Sequence, residues 1–132
     1  MIQYNDSFFD PPAPLAYVTI RNMPKYKGDR KEWVNVPMLI DSGADVTLLP
    51  QKAIEKLTLD VQSDTGYELA GFDNSITTAP LVQAELVFCG RRFRGQYLVI
   101  DQDWGILGRN VCNKLAILLD GPNLQWYEWK PH

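Results

Sequence analysis

Histidine is almost missing from this chain: the one present, His132, is its last residue. Ser-His-Asp or Cys-His catalysis needs an imidazole held beside the nucleophile, so neither is available here. Zinc sites built on histidine go with them, and two cysteines far apart, Cys89 and Cys112, do not make one. Nothing suggests export, so both thiols are expected to be free and buried rather than joined. Long apolar runs are lacking too, since no stretch approaches the ~18 residues of a membrane span. The start, "MIQYNDSFFDPPAPLA", has no positive n-region and no long apolar h-region. It is not a secretory signal, and a cytoplasmic location away from the membrane is expected. An excess of one charge is also absent. A net charge of −3 gives no nucleic-acid footprint, and the densest basic stretch, "GRRFRG" (90–95), is expected to be a solvated edge. Chemistry in this chain must run mainly on carboxylates, and no cofactor or metal is indicated.

The composition is otherwise globular, 45% hydrophobic and 22% charged, and 132 residues suit one domain. Residues 1–14, with Pro11, Pro12 and Pro14, read as an extended arm before a single domain over 15–132. Strands are predicted at 15–20, 34–40, 46–50, 67–71, 75–88, 91–100, 105–108, 116–120 and 124–129. A polar hairpin loop carrying Gly28 covers 21–33. "VNVPMLI" (34–40) becomes wholly apolar toward its end, so both its faces should be buried there. Pro50 opens a short helix over 51–57, and another follows over 109–115. The fold class is therefore mostly β, with one or two short helices.

A weak internal echo runs through this pattern. "MLIDSGADVTLLPQKAIEKL" goes strand, loop, buried strand, helix, and "YLVIDQDWGILGRNVCNKL" takes the same course about 60 residues later. Either the two are related halves of one lobe, or a β-rich chain repeats itself by coincidence.

The chemistry concentrates at "VPMLIDSGADVTLLP" (36–50), where two apolar runs bracket Asp41-Ser42-Gly43. A lone charged carboxylate after Met38-Leu39-Ile40 would be costly. A salt bridge, a metal, or a second carboxylate sharing one proton could each rescue it. In the last case one acid ionises early and the other late, so the pair can hold a water, take its proton and polarise a carbonyl. Gly43 allows a tight turn, Ser42 offers a hydroxyl and Ala44 is small enough for a crowded loop. Asp64-Thr65-Gly66 is an equally good triplet, but "VQSDTGYE" gives it no apolar flanks, so it reads as an exposed turn. An internal Asp41–Asp64 pair is not expected, because the residues between them are largely used by the helix. Asp101 and Asp103 lack a following Gly-Ala and read as loop residues.

"LIDSGADVTLLP" followed by "ILGRNVCNKL" resembles the retroviral-type, retropepsin-like aspartic proteases. In these an apolar strand leads into Asp-Thr/Ser-Gly-Ala, and an apolar-apolar-Gly-Arg-Asp/Asn segment starts the late helix. The resemblance covers roughly residues 15 to 128. It implies a closed β-barrel-like acid protease lobe whose active site forms at a homodimer interface, acting on peptide or protein substrates. It makes Asp41 the catalytic residue in the active-site loop Ser42, Gly43 and Ala44, with its symmetry mate completing the dyad. It pairs Asp45 with Arg109 as a structural contact. It places Ile106, Leu107, Gly108 and Asn110 in the late motif. It makes 67–78 a flap with Gly71, Phe72, Asp73, Asn74 and Ser75 near the tip, where Phe72 departs from the glycine-rich viral pattern. Family dimers often interleave terminal strands, and "LQWYEW" (124–129) has the alternation for that or for packing within the subunit. The alternative to an aspartic endopeptidase is a catalytically silent dimerisation or peptide-binding module on the same fold.

Overall fold

The computed structural model describes residues 1–59, 61–70 and 76–131, without the side chains of 61–70 and 76–79. In chain order the elements are β1 (Ile2–Gln3), β2 (Leu15–Arg21), β3 (Trp33–Ile40), β4 (Leu48–Pro50), α1 (Gln51–Ile54), β5 (Val61–Ala70), β6 (Ile76–Phe88), β7 (Arg91–Ile100), β8 (Gly105–Leu107), α2 (Arg109–Cys112), β9 (Ile117–Asp120) and β10 (Gln125–Glu128).

Six strands close into a barrel. The order is β2-β3-β8-β4-β7-β6, and β6 returns to β2 through Thr19–Arg21 against Glu85–Val87. β5 adds to the outer side of β6. Closure removes sheet edges, which a small β domain must otherwise protect. Alternation along the strands fills the interior: Val18, Ile20, Val36, Met38, Val82, Ala84, Leu86 and Leu107 are all buried. Full burial of each large apolar side chain contributes about 1.5–3 kcal/mol.

The repeated sequence pattern becomes a reciprocal interlock. β3 pairs in parallel with β8, while β4 pairs in parallel with β7. The first strand of each half thus lies beside the second strand of the other, and β4 meets β8 antiparallel at Leu48 and Ile106. Each half ends in a single helical turn, α1 or α2.

Several boundaries differ from expectation. Both helices are shorter than predicted. After α1 the chain turns at once, with the Leu57 N–H donating to the Ile54 carbonyl, so both side chains reach the core. β3 is not buried on both faces at its end. Met38 points inward, while Leu39 and Ile40 are only half-buried on the barrel wall. Asp64-Thr65-Gly66 is no turn but lies inside β5, where pairing with β6 shifts register between Gln62 and Tyr67. Cys89 and Cys112 are free, as expected, but half-buried. Cys89 (φ 53) and Gly90 (φ 71) form the two-residue turn between β6 and β7, both in the left-handed region that such hairpins require.

A second sheet, β1-β10-β9, packs on the barrel. Trp126 is buried against Phe88, with ring centroids 5.9 Å apart, and its indole N–H donates to the Leu15 carbonyl. Trp129, past the strand end, is exposed. Both edges of β10 are occupied within the chain, by β9 and β1, which favours packing within the subunit over interleaving for "LQWYEW". Residues 1–14 double back through Asn5 and Ala13 and seat Phe8 and Phe9 on Trp104, with Phe9 and Trp104 centroids 4.9 Å apart. Among the described residues no helix is long and apolar enough to cross a membrane.

Candidate active site

Asp41 stands where β3 leaves the barrel wall. Leu39 and Ile40 lie beside Ile106 and Leu107 of β8, and the Asp41 N–H continues that ladder by donating to the Leu107 carbonyl at 3.0 Å. The chain then turns on itself. Asp41 Oδ1 accepts the Gly43 N–H at 2.9 Å and its carbonyl accepts the Ala44 N–H at 3.2 Å. A Cβ on residue 43 would sit 3.2 Å from that same Oδ1, so glycine keeps the carboxylate uncrowded.

The apolar flanks led to the expectation of a deeply buried acid. The flanks are indeed core, with Met38 and Leu49 fully buried, but the loop itself rises to the surface. Asp41 is half-buried, and Ser42 and Gly43 are exposed. Neither a metal nor a salt bridge is needed to explain a carboxylate at this depth.

The late motif grips the loop from the other side. The Arg109 N–H donates to the Ala44 carbonyl at 2.8 Å. Its guanidinium donates through Nη1 to the Ser42 carbonyl at 3.0 Å and through Nη2 to Asp45 Oδ1. The expected Asp45–Arg109 pair therefore exists, but the Asp45 side chain is 81% exposed. Such a pair is worth at most about 1 kcal/mol by itself, so its value lies in orienting the guanidinium toward the loop backbone.

Thr47, which the sequence reading passed over, is the buried centre of this junction. It is 1% exposed, accepts the Gly108 N–H at 3.1 Å and donates to Asn110 Oδ1 at 2.7 Å. The available signal was a hydroxyl inside the apolar run 46–50, since a buried polar group implies partners. Cys112 was also missed. Its thiol donates to the Leu107 carbonyl at 3.4 Å. Burial raises its pKa and the nearby Asp41 charge adds to the rise, against a hydrogen bond from the Asp41 backbone that lowers it.

Asp41, Ser42, Gly43, Ala44, Asp45, Gly108, Arg109 and Asn110 thus meet at one corner of the barrel, with Ile106 and Leu107 as its floor. Gly71, Phe72, Asp73, Asn74 and Ser75 lie outside the described residues. Asp101 and Asp103 are exposed loop residues, and Asp103 reaches Lys52 at 3.8 Å.

A family model described as aspartyl protease matches residues 26–111, which contain the whole of this corner. Among solved structures the chain is similar to EIAV protease complexed with the inhibitor HBY-793. The two are 22% identical over 86% of this chain and 93% of that one, with a TM-score of 0.58. At that identity the likeness is one of fold. The search of curated proteins returns no match.

Proposed function

Because the chain belongs to the aspartyl protease family and folds as a retropepsin-like lobe, we propose that it is an aspartic endopeptidase acting as a homodimer. Asp41 and the Asp41 of a second copy form the catalytic pair. The observation that carries this is the posture of Asp41: a braced carboxylate, half-buried and flanked by exposed Ser42 and Gly43. It is held rigidly by one lobe yet left open on the side where a second copy would meet it.

Two such carboxylates at close range share one proton. The ionised member takes a proton from a water held between them, and the water oxygen attacks the scissile carbonyl carbon. The neutral member gives its proton to the carbonyl oxygen, forming a gem-diol. The newly protonated acid then protonates the leaving nitrogen, the C–N bond breaks, and a gem-diol proton returns to the other carboxylate. The pair ends with one proton, as it began. Rigid bracing by Arg109 and Thr47 serves this chemistry, because small errors of placement are costly in a shared site. The site is a property of the interface between copies, so specific activity should fall on dilution.

Incubation of the concentrated protein with a mixed peptide library between about pH 4 and 7 tests this, with products read by mass spectrometry. Asp41→Asn should lower cleavage by about a hundred- to ten-thousandfold, the usual worth of a general acid–base group. Asp64→Asn should leave it unchanged. Equal loss in a folded Asp64→Asn protein would overturn the symmetric pair. No cleavage by the unaltered dimer would leave a binding module as the function.

A further inference from the structure

The outer face of the barrel carries a second, differently charged feature. Strand register aligns Trp33, Arg21, Glu85 and Arg94 in one row across β3, β2, β6 and β7. Directly opposed residues share a face, and a parallel row two residues on contains Thr19 and Arg92. Glu85 is buried to 6% on this outer face because two arginines cover it, Arg94 Nε at 2.6 Å and Arg21 Nη1 at 3.5 Å. These residues, with Lys31 and Arg92, line a cavity of about 550 Å³ that does not include Asp41.

Four cations, Arg21, Lys31, Arg92 and Arg94, face two carboxylates, Glu32 and Glu85. Glu85 is occupied by its two arginines, and Glu32 accepts the Thr58 N–H. Among the described residues Arg92 and Lys31 make no ion pair. Trp33, 66% exposed, gives the cavity an apolar rim. A chain of net charge −3 has gathered free positive charge around a buried, already satisfied carboxylate. A solvated edge, as "GRRFRG" read from sequence, does not require that arrangement.

We propose that this cavity is an exosite for an acidic stretch of the polypeptide substrate. Arg92 and Lys31 bind its carboxylates, and Trp33 packs against the neighbouring side chain. Carboxylate is favoured over polyphosphate by the fixed Glu32 and Glu85, which closely spaced phosphates could not avoid. The presence of one aromatic rather than a stacking series also disfavours nucleic acid. An arginine fork matches a carboxylate with two parallel hydrogen bonds. Trp33 opens β3 and Asp41 directly follows its last residue, Ile40, so the two are at most about 26 Å apart at the usual rise per residue. About eight residues of extended substrate would span them. The protease reading supplies the identity of the ligand as substrate; the binding itself does not depend on it.

The test uses the Asp41→Asn protein, which binds without cleaving, and a fluorescent peptide of alternating Glu and Ala followed by anisotropy. The peptide should bind, and should bind more weakly as salt rises from about 50 to 300 mM. The paired substitution Arg92→Ala with Lys31→Ala, both at exposed positions, should weaken it about tenfold, as expected for two lost charged contacts. In the unaltered enzyme, placing the acidic tract about eight residues from a cleaved bond should lower KM, and the paired substitution should erase that gain. Equal binding of a Gln-for-Glu peptide, or no effect of the paired substitution, overturns the exosite. Displacement by a single-stranded oligonucleotide at lower concentration overturns it in favour of nucleic acid. Glu-dependent binding without any cleavage upholds the exosite chemistry and sinks the protease reading. Cleavage without such binding does the reverse.

Discussion

Gly108 lies so close to Val46 that a Cβ at position 108 would overlap the Val46 carbonyl oxygen. This backbone-on-backbone contact lets the late motif reach the Asp41 loop. Gly108→Ala should therefore destabilise the fold by about 3 kcal/mol or more, because backbone on both sides must move. Urea unfolding checks it; a change below about 1 kcal/mol would show that the contact yields easily.

Arg109 and Asp45 should separate in their effects. Asp45→Ala removes only an exposed ion pair, so a cost under about 1 kcal/mol is expected. Arg109→Ala also loses the Ser42 carbonyl contact and the orientation of the loop, so cleavage should drop far more than with Asp45→Ala. Arg109→Lys should not restore it, since an ammonium cannot reproduce a fork held at two points. Comparison of kcat/KM for the three variants decides the matter; equal losses for Asp45→Ala and Arg109→Ala would make the ion pair itself the essential contact.

Thr47→Val keeps shape but removes the hydroxyl between Gly108 and Asn110. A buried N–H is then left without its acceptor, at about 1–3 kcal/mol. Thr47→Ser should retain most of the stability. Thermal unfolding of the pair distinguishes a hydrogen-bond role from simple packing, which would penalise Ser and spare Val.

Alkaline pH should unfold the protein through groups that fold protonated. Burial raises the Cys89 thiol to about 12 from 9.0, with Glu128 adding to the rise, and raises the Tyr97 phenol to about 12 from 10.0. Above about pH 9 the unfolded chain loses these protons before the folded one does. Stability from both groups is thus complete below that pH and is lost progressively toward about pH 12. Urea midpoints across this range should fall, and Cys89→Ser with Tyr97→Phe should flatten the decline. An unchanged slope would assign alkaline unfolding to other groups.

The local shape of the Asp41 loop was partly legible in the sequence. An acid between apolar runs follows from local chemistry, whereas the distant Gly-Arg-Asn and its meeting with that loop came only from the resemblance; in the structure Arg109 does contact Ser42 and Asp45. What stayed hidden depends on partners far along the chain. Thr47 is 61 residues from Gly108 and 63 from Asn110, and nothing local announces either bond. The depth of Asp41 was overestimated because apolar neighbours report where strands go, not where the loop between them surfaces. Asp64-Thr65-Gly66 was misplaced because turn-forming residues also serve strand irregularities. The row of Trp33, Arg21, Glu85 and Arg94 required the register of four strands, which single-strand patterns do not carry.

The reciprocal pairing of the two halves also sets an order in time. Ser42 and the arginine that holds its carbonyl are separated by 67 residues. β3 and β4 complete their parallel ladders only once β7 and β8 exist. During synthesis the aspartate loop is therefore made well before the segment that braces it. A polypeptide cut short anywhere before α2 would carry Asp41 without the Arg109 contacts that hold the Ser42 and Ala44 carbonyls of its loop.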